Sequence, residues 1–266
     1  MDRRKFVQST LLSGALINTA FPVTNATAMG NEKNKQQQWY ELRTWLFAND
    51  TQRQLTSDYL EQAYLPALGR AGVKNIGVFS ETQPAATAKI ILLLPFDSIA
   101  SLPAINDRLS QDAVYQKAGE AYLSARPSNP AYERMESSLL KAFLHMPLIE
   151  VPEKKERLFE LRCYESPTES AGQKKIEMFN KAGEIDIFKK IGARPVFFGE
   201  TIIGERRPNL IYLLCFDNME AHDTHWKAFG SDPEWKKVSA IPEYSDANLI
   251  SKITRTFLTP TPYSQV

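Results

Sequence analysis

The chain states one pattern twice. Tyr40-Glu41-Leu42-Arg43 returns as Phe159-Glu160-Leu161-Arg162, Pro95-Phe96-Asp97 as Cys215-Phe216-Asp217, and Asp112 with Tyr115 as Asp232 with Trp235. Phe159 follows Tyr40 by 119 residues, and Phe216 and Asp232 follow Phe96 and Asp112 by 120 each. Solenoid units run to about 20 to 50 residues, so a register this long describes a small domain used twice. The 266 residues therefore divide into two fused copies rather than forming one large domain. The expected bounds are 39–150 for the first and 157–262 for the second.

Each copy parses as strand, helix, strand, strand, helix, strand. In the first copy, 39–47 alternates and is rich in aromatic residues, as a strand should be. Leu60, Ala63, Tyr64, Ala67, Leu68 and Ala71 then recur at three- and four-residue steps, one apolar stripe of a helix over 51–71. Gly72 stops it, and Pro66 inside it predicts a kink. Strands follow at 75–80 and 89–96, a helical region at 99–123 and a last strand at 139–144. The second copy gives 158–164, a helix over 171–191 stopped by Gly192, strands at 196–202 and 210–216, helices across 219–238, and a strand at 253–258.

The expected fold class is α+β, two tandem ferredoxin-like βαββαβ repeats. Each four-stranded antiparallel sheet carries helices on one face and leaves the other bare. Packing the two bare faces together makes an intramolecular dimeric α/β barrel of eight strands.

Side chains alternate along a strand, so Phe159, Leu161 and Cys163 share one face while Glu160, Arg162 and Tyr164 share the other. The first copy sets Tyr40, Leu42 and Thr44 against Glu41, Arg43 and Trp45. The apolar set is expected on the helices and the Glu/Arg set in the space between the sheets. There Glu41 and Glu160 would be acid/base candidates, Arg43 and Arg162 anion clamps, and Trp45 and Tyr164 pocket walls. The same charges would equally serve as ion pairs that hold the two sheets in register.

These residues resemble the NIPSNAP family. The resemblance is carried by the doubled opening strand, the glycine-stopped helix, the nearly unbroken apolar third strand ending in Phe-Asp, and the late Asp-x-x-Trp. It is fuller in the second copy, since the first has Tyr115 where the second has Trp235. It implies the dimeric α/β-barrel superfamily, a home of monooxygenases and other enzymes. It brings no catalytic residues with it, and fold alone licenses no reaction.

Other motifs bear on function class. Neither G-x-S-x-G nor a P-loop nor a G-x-G-x-x-G after a strand is present. His222 and His225 stand three apart at a helix start, a spacing that serves a metal or a proton shuttle but equally a helix surface. Cys163 and Cys215 fall at opposite ends of neighbouring strands, too far for a bridge that needs Cα atoms within roughly 7 Å. Two buried thiols are expected. A net charge of +1 gives no electrostatic footprint for nucleic acid or an anionic membrane.

The first 28 residues read as an address. Arg3-Arg4-Lys5, an apolar run over 11–21 too short to span a bilayer, and Ala26-Thr27-Ala28 make a twin-arginine export signal cut after Ala28. A polar linker over 29–38 would follow, and the protein would act in the periplasm. The functional expectation is a barrel that binds a small organic ligand between its sheets and transforms it by acid/base chemistry without a cofactor or metal. The alternative is a non-catalytic binding or scaffold protein with a filled barrel. It would be a monomeric pseudo-dimer or a higher homo-oligomer.

Overall fold

The computed structural model describes residues 36–82 and 89–266. The expected signal and most of the expected linker lie outside the described residues. The first half runs β1 (Trp39–Leu46), α1 (Asp50–Tyr59), a π-helical turn (Leu60–Tyr64), α2 (Leu65–Arg70), β2 (Gly77–Glu81), β3 (Lys89–Phe96), α3 (Ser101–Gln111), α4 (Ala113–Ala118), α5 (Glu120–Leu123) and β4 (Arg134–Ala142). The second runs β5 (Leu158–Glu165), α6 (Glu169–Lys181), α7 (Glu184–Lys190), β6 (Arg194–Ile203), β7 (Asn209–Phe216), α8 (Met219–Ser231), α9 (Pro233–Ser239), a 3-10 turn, α10 (Asp246–Leu249) and β8 (Lys252–Pro260).

The eight strands close into one antiparallel barrel in the order β1-β3-β2-β8-β5-β7-β6-β4. Each half keeps its first and third strands in the middle, and the halves join edge to edge through β2–β8 and β4–β6. Closure leaves no free sheet edge. At the β4–β6 seam the chains approach so closely that a Cβ on Gly199 would sit 3.0 Å from that of Leu140.

Local chemistry explains the elements. Asn49, Thr168 and Asn218 cap α1, α6 and α8 by accepting from a backbone N–H of the first turn. The repeated Asp is also a cap: Asp112 accepts from the Tyr115 N–H, and Asp232 from those of Glu234 and Trp235. Each cap carries a second contact, Arg70 on Asp112 at 2.6 Å and Lys190 on Asp232 at 2.9 Å, which joins the late helix to the end of the early one. Gly72 and Gly192 leave their helices at φ of 92° and 87°, where a Cβ is strained. At Pro66, where a kink was expected, the regular helix is interrupted by a π turn over Leu60–Tyr64 that ends just before it. The single helix expected over 171–191 is broken at Gly183, and β4 begins five residues earlier than expected.

Three apolar layers result. One lies between the first half's helices and its sheet, one between the second half's helices and its sheet, and the third lies inside the barrel. The unbroken apolar runs of β3 and β7 are thereby explained, because both faces are covered. Ile211, Leu213 and Cys215 point inward while Leu210, Tyr212, Leu214 and Phe216 meet the helices. Both cysteines are buried free thiols, as expected. Among the described residues, no helix is long and apolar enough to cross a membrane.

Candidate functional site

The expected orientation of the opening strands is reversed. Tyr40, Leu42, Phe159, Leu161 and Cys163 belong to the barrel interior, whereas Trp45 and Tyr164 belong to the layers beneath the helices. Glu41, Arg43, Glu160 and Arg162 share that helix side by alternation. None of the six candidate residues faces the space between the sheets. The physical reason is that a strand covered on both faces offers two interiors. The charges take the one that supplies polar partners.

Those partners are specific. Glu160 is fully buried; Arg162 Nη1 donates to its Oε1 at 2.9 Å and Trp226 Nε1 to its Oε2 at 2.9 Å. His222 Nε2 lies 3.3 Å from the same Oε2, and its Nδ1 lies 2.8 Å from Asp223. The Arg162 guanidinium covers the Trp226 ring at 4.4 Å. In the first half Arg43 donates to both oxygens of Glu41 at 2.8 Å, and Ser137 adds a bond of 2.7 Å. Both glutamates thus have both oxygens engaged: Glu160 is tied to α8 through Trp226, whereas Glu41 is tied to Arg43 on its own strand and to Ser137 of the neighbouring β4. Of the two uses expected for these pairs, the geometry fits a lock, though not of sheet to sheet: the Glu160 pair locks α8 to its sheet, and the Glu41 pair joins β1 to β4 within one sheet.

His222 is consequently a core residue rather than a helix-surface one. It shares an i, i+4, i+7 stripe with Trp226 and Phe229, which was the available signal that it faces the sheet. His225 leaves that stripe and rests against Gly192. Nearby, Lys175 is 1 % exposed, with Glu184 at 3.4 Å and Asp246 at 3.1 Å. Burial pulls this ammonium down, but the two carboxylates outweigh it and hold it above its ordinary range. Burial pushes the Glu184 carboxyl up to about 7 against the pull of Lys175.

The barrel interior is uneven along its axis. One end is packed with Tyr40, Phe79, Phe159 and Phe197, with Phe79 edge-on to Phe159 at 5.0 Å and Tyr40 against Phe197 at 5.1 Å. Ile149 and Val266 close this end. The other end is hollow. A cavity of about 400 Å³ opens there, floored by Leu42, Ile91, Leu161 and Ile211 and walled by Thr44, Cys163, Thr254, Thr256, Glu81 and Lys89. A second hollow of about 300 Å³ shares Leu42, Thr44, Cys163 and Ile211 and reaches Ser138 and Asn209. Both halves of the chain line both hollows.

The rim is charged and largely paired. Lys89 meets Glu81 at 3.3 Å, Arg134 meets Glu136 at 2.9 Å and Glu205 at 3.3 Å, and Arg206 lies 3.8 Å from Glu165. Two buried atoms of the wall, Glu81 Oε2 and Thr254 Oγ1, find no hydrogen-bond partner among the described residues. Burial pushes the Cys163 thiol up to about 11, only partly countered by Arg206 and Lys252. It is not a thiolate nucleophile at neutral pH. Glu81 and Thr254 were missed in the sequence, although Phe79 with Glu81, and Thr254 with Thr256 and Leu258, mark the inward face by alternation.

Solved structures share this architecture. A provisionally named monooxygenase from Lactobacillus acidophilus NCFM is 10% identical, covers 84% of this chain and 94% of its own, and superposes with a TM-score of 0.56. A protein of the same provisional name from Fusobacterium nucleatum is 10% identical over 85% and 93%, with a TM-score of 0.55. At such identities the likeness is one of fold. A NIPSNAP family protein from Agrobacterium tumefaciens C58, at 20% identity, aligns over 41% of this chain and 98% of its own with a TM-score of 0.37. No curated protein matches the sequence. The NIPSNAP family model matches residues 159–265, which span β5 to β8 and every helix between them. Over those residues the chain is similar to a NIPSNAP domain.

Proposed function

We propose that the protein binds a small organic molecule in the hollow end of its barrel, between the two sheets. The observation that carries this reading is a cavity of about 400 Å³ at one end of the barrel, lined by strands of both halves. Ligand sites are commonly hollows of roughly 300 to 1,000 Å³, mostly apolar with a few convergent polar groups. A scaffold with a filled barrel would have no reason to leave one end empty while packing four aromatic rings into the other. The acid/base role first expected of Glu41 and Glu160 is not part of this proposal, since both are committed beneath the helices.

A metabolite collection screened by thermal shift tests it. Ligands of the hollow raise the melting temperature of the unaltered chain, by mass action equivalent to about 2.7 kcal/mol at a hundredfold excess over Kd. They lose that effect in Thr44→Phe, which fills the hollow from the β1 wall. Hits that stabilise both proteins equally place binding elsewhere.

The first half belongs to the same proposal as a diverged NIPSNAP copy. Its strand order matches that of the second half, and its Arg70–Asp112 pair stands where the second half has Lys190–Asp232. Export belongs to it as well, supported by Arg3-Arg4 and by Ala26 and Ala28. With Arg3 and Arg4 both changed to lysine, the expected result is a full-length precursor held in the cytoplasm. A periplasmic product cut after Ala28 would instead mean the general secretory route.

A further inference from the structure

We infer that the hollow takes an uncharged molecule with a largely apolar body and discriminates against its ionised analogues of either sign. This deepens the reading above and rests on the hollow being the binding site. The strand register shows why. In the row that floors the hollow, Leu42 pairs with Leu93 and Ser138, and Leu161 with Leu213 and Thr256. That row carries no charge. One step toward the opening, Thr44 pairs with Ile91 and Glu136, and Cys163 with Ile211 and Thr254. Glu136 is the one charge of this second row, and Arg134 meets it at 2.9 Å. Glu81 enters the wall from β2, and Lys89 stands 3.3 Å from it. Burial keeps the Cys163 thiol neutral as well.

A small ion seated on such a floor gives up its water and gains no opposite charge, which is costly. Nearer the opening it fares no better, whichever its sign. An ammonium that approaches Glu81 or Glu136 meets Lys89 or Arg134 beside it, and a carboxylate that approaches either cation meets the glutamate. The charged residues lining the two hollows are three of each sign, Lys89, Arg134 and Arg206 against Glu81, Glu136 and Glu205, so they add no net field for an ion. A neutral molecule avoids both costs. Its body lies on Leu42, Ile91, Leu161 and Ile211, and an oxygen on it can use the hydroxyls of Thr44, Ser138 and Thr256, a group that both donates and accepts.

Three probes that share one body and differ in head group test this on the full chain: 2-phenylethanol, phenylacetate and 2-phenylethylamine, titrated calorimetrically at neutral pH. The alcohol is expected to bind about tenfold or more tightly than either ion. Because the reading is a ratio on one unaltered protein, a loss of folded material does not imitate it. An ion that binds as tightly as the alcohol overturns the assignment, as does failure of the alcohol to bind. Thr44→Phe and Leu161→Phe, which fill the hollow from opposite sheets, separate the two levels. If they block a charged probe that binds the unaltered chain as well as the alcohol does, the hollow stands and only the ligand class falls. Binding that both variants, once shown to be folded, leave untouched removes the hollow.

Discussion

Glu160→Ala is expected to destabilise the chain by about 3 to 5 kcal/mol, the range for removing one partner of a buried ion pair. The carboxylate is fully buried, and its loss strands Arg162 Nη1 and the Trp226 N–H, with the His222 ring left beside the gap. Arg162, itself 13% exposed in its side chain, is then a poorly compensated charge. The double change Glu160→Leu with Arg162→Met is expected to recover most of the loss, because a buried pair replaced by apolar groups of similar volume is often neutral. Urea denaturation of the two variants checks both statements. A loss below about 1 kcal/mol for Glu160→Ala, in the range of exposed pairs, would mean that the pair does not hold the second sheet to α8.

Phe159→Ala is expected to be of similar size, about 3 to 5 kcal/mol, the usual range for truncating a buried aromatic ring. Its ring is fully buried in the barrel and packs edge-on against Phe79 of the other half at 5.0 Å. The cavity it leaves lies in the layer that both halves share. The two halves should therefore still unfold together in one transition, shifted to lower denaturant, when followed by far-ultraviolet circular dichroism and by tryptophan fluorescence. Two separated transitions would show that each half carries its own stability and that the shared interior contributes little.

Much of the architecture was legible in the residues. The repeat at 119 to 120 residues, the glycine stops and the placing of β3 and β7 all lead to a strand order that the barrel reproduces. Gly72 and Gly192 were readable because left-handed backbone at a helix end has a narrow chemical signature. The repeated Asp of Asp112 and Asp232 was visible as a pattern. Its meaning, a helix cap also held by Arg70 or Lys190, needed the helices to be brought together. Pro66 shows the opposite case, since the sequence signalled a kink and the helix instead carries a π turn that ends just before the proline.

What the sequence by itself determined is which residues share a face and which strands are neighbours, since both follow from a period of two and from short connections. It did not determine which face of β1 and β5 is the inside of the barrel. Both faces are covered, one by helices and one by the opposite sheet, so the usual contrast between a wet and a dry side was missing. Only the tertiary structure decided that the Glu/Arg pairs lie under the helices. There Trp226, His222 and Ser137, distant in sequence from the strands they meet, supply the hydrogen bonds that buried charge requires. The hollow is likewise tertiary. Leu42, Glu81, Cys163 and Thr254 come from four strands of two halves and meet only because the barrel closes, with large rings at one end and smaller or charged residues at the other.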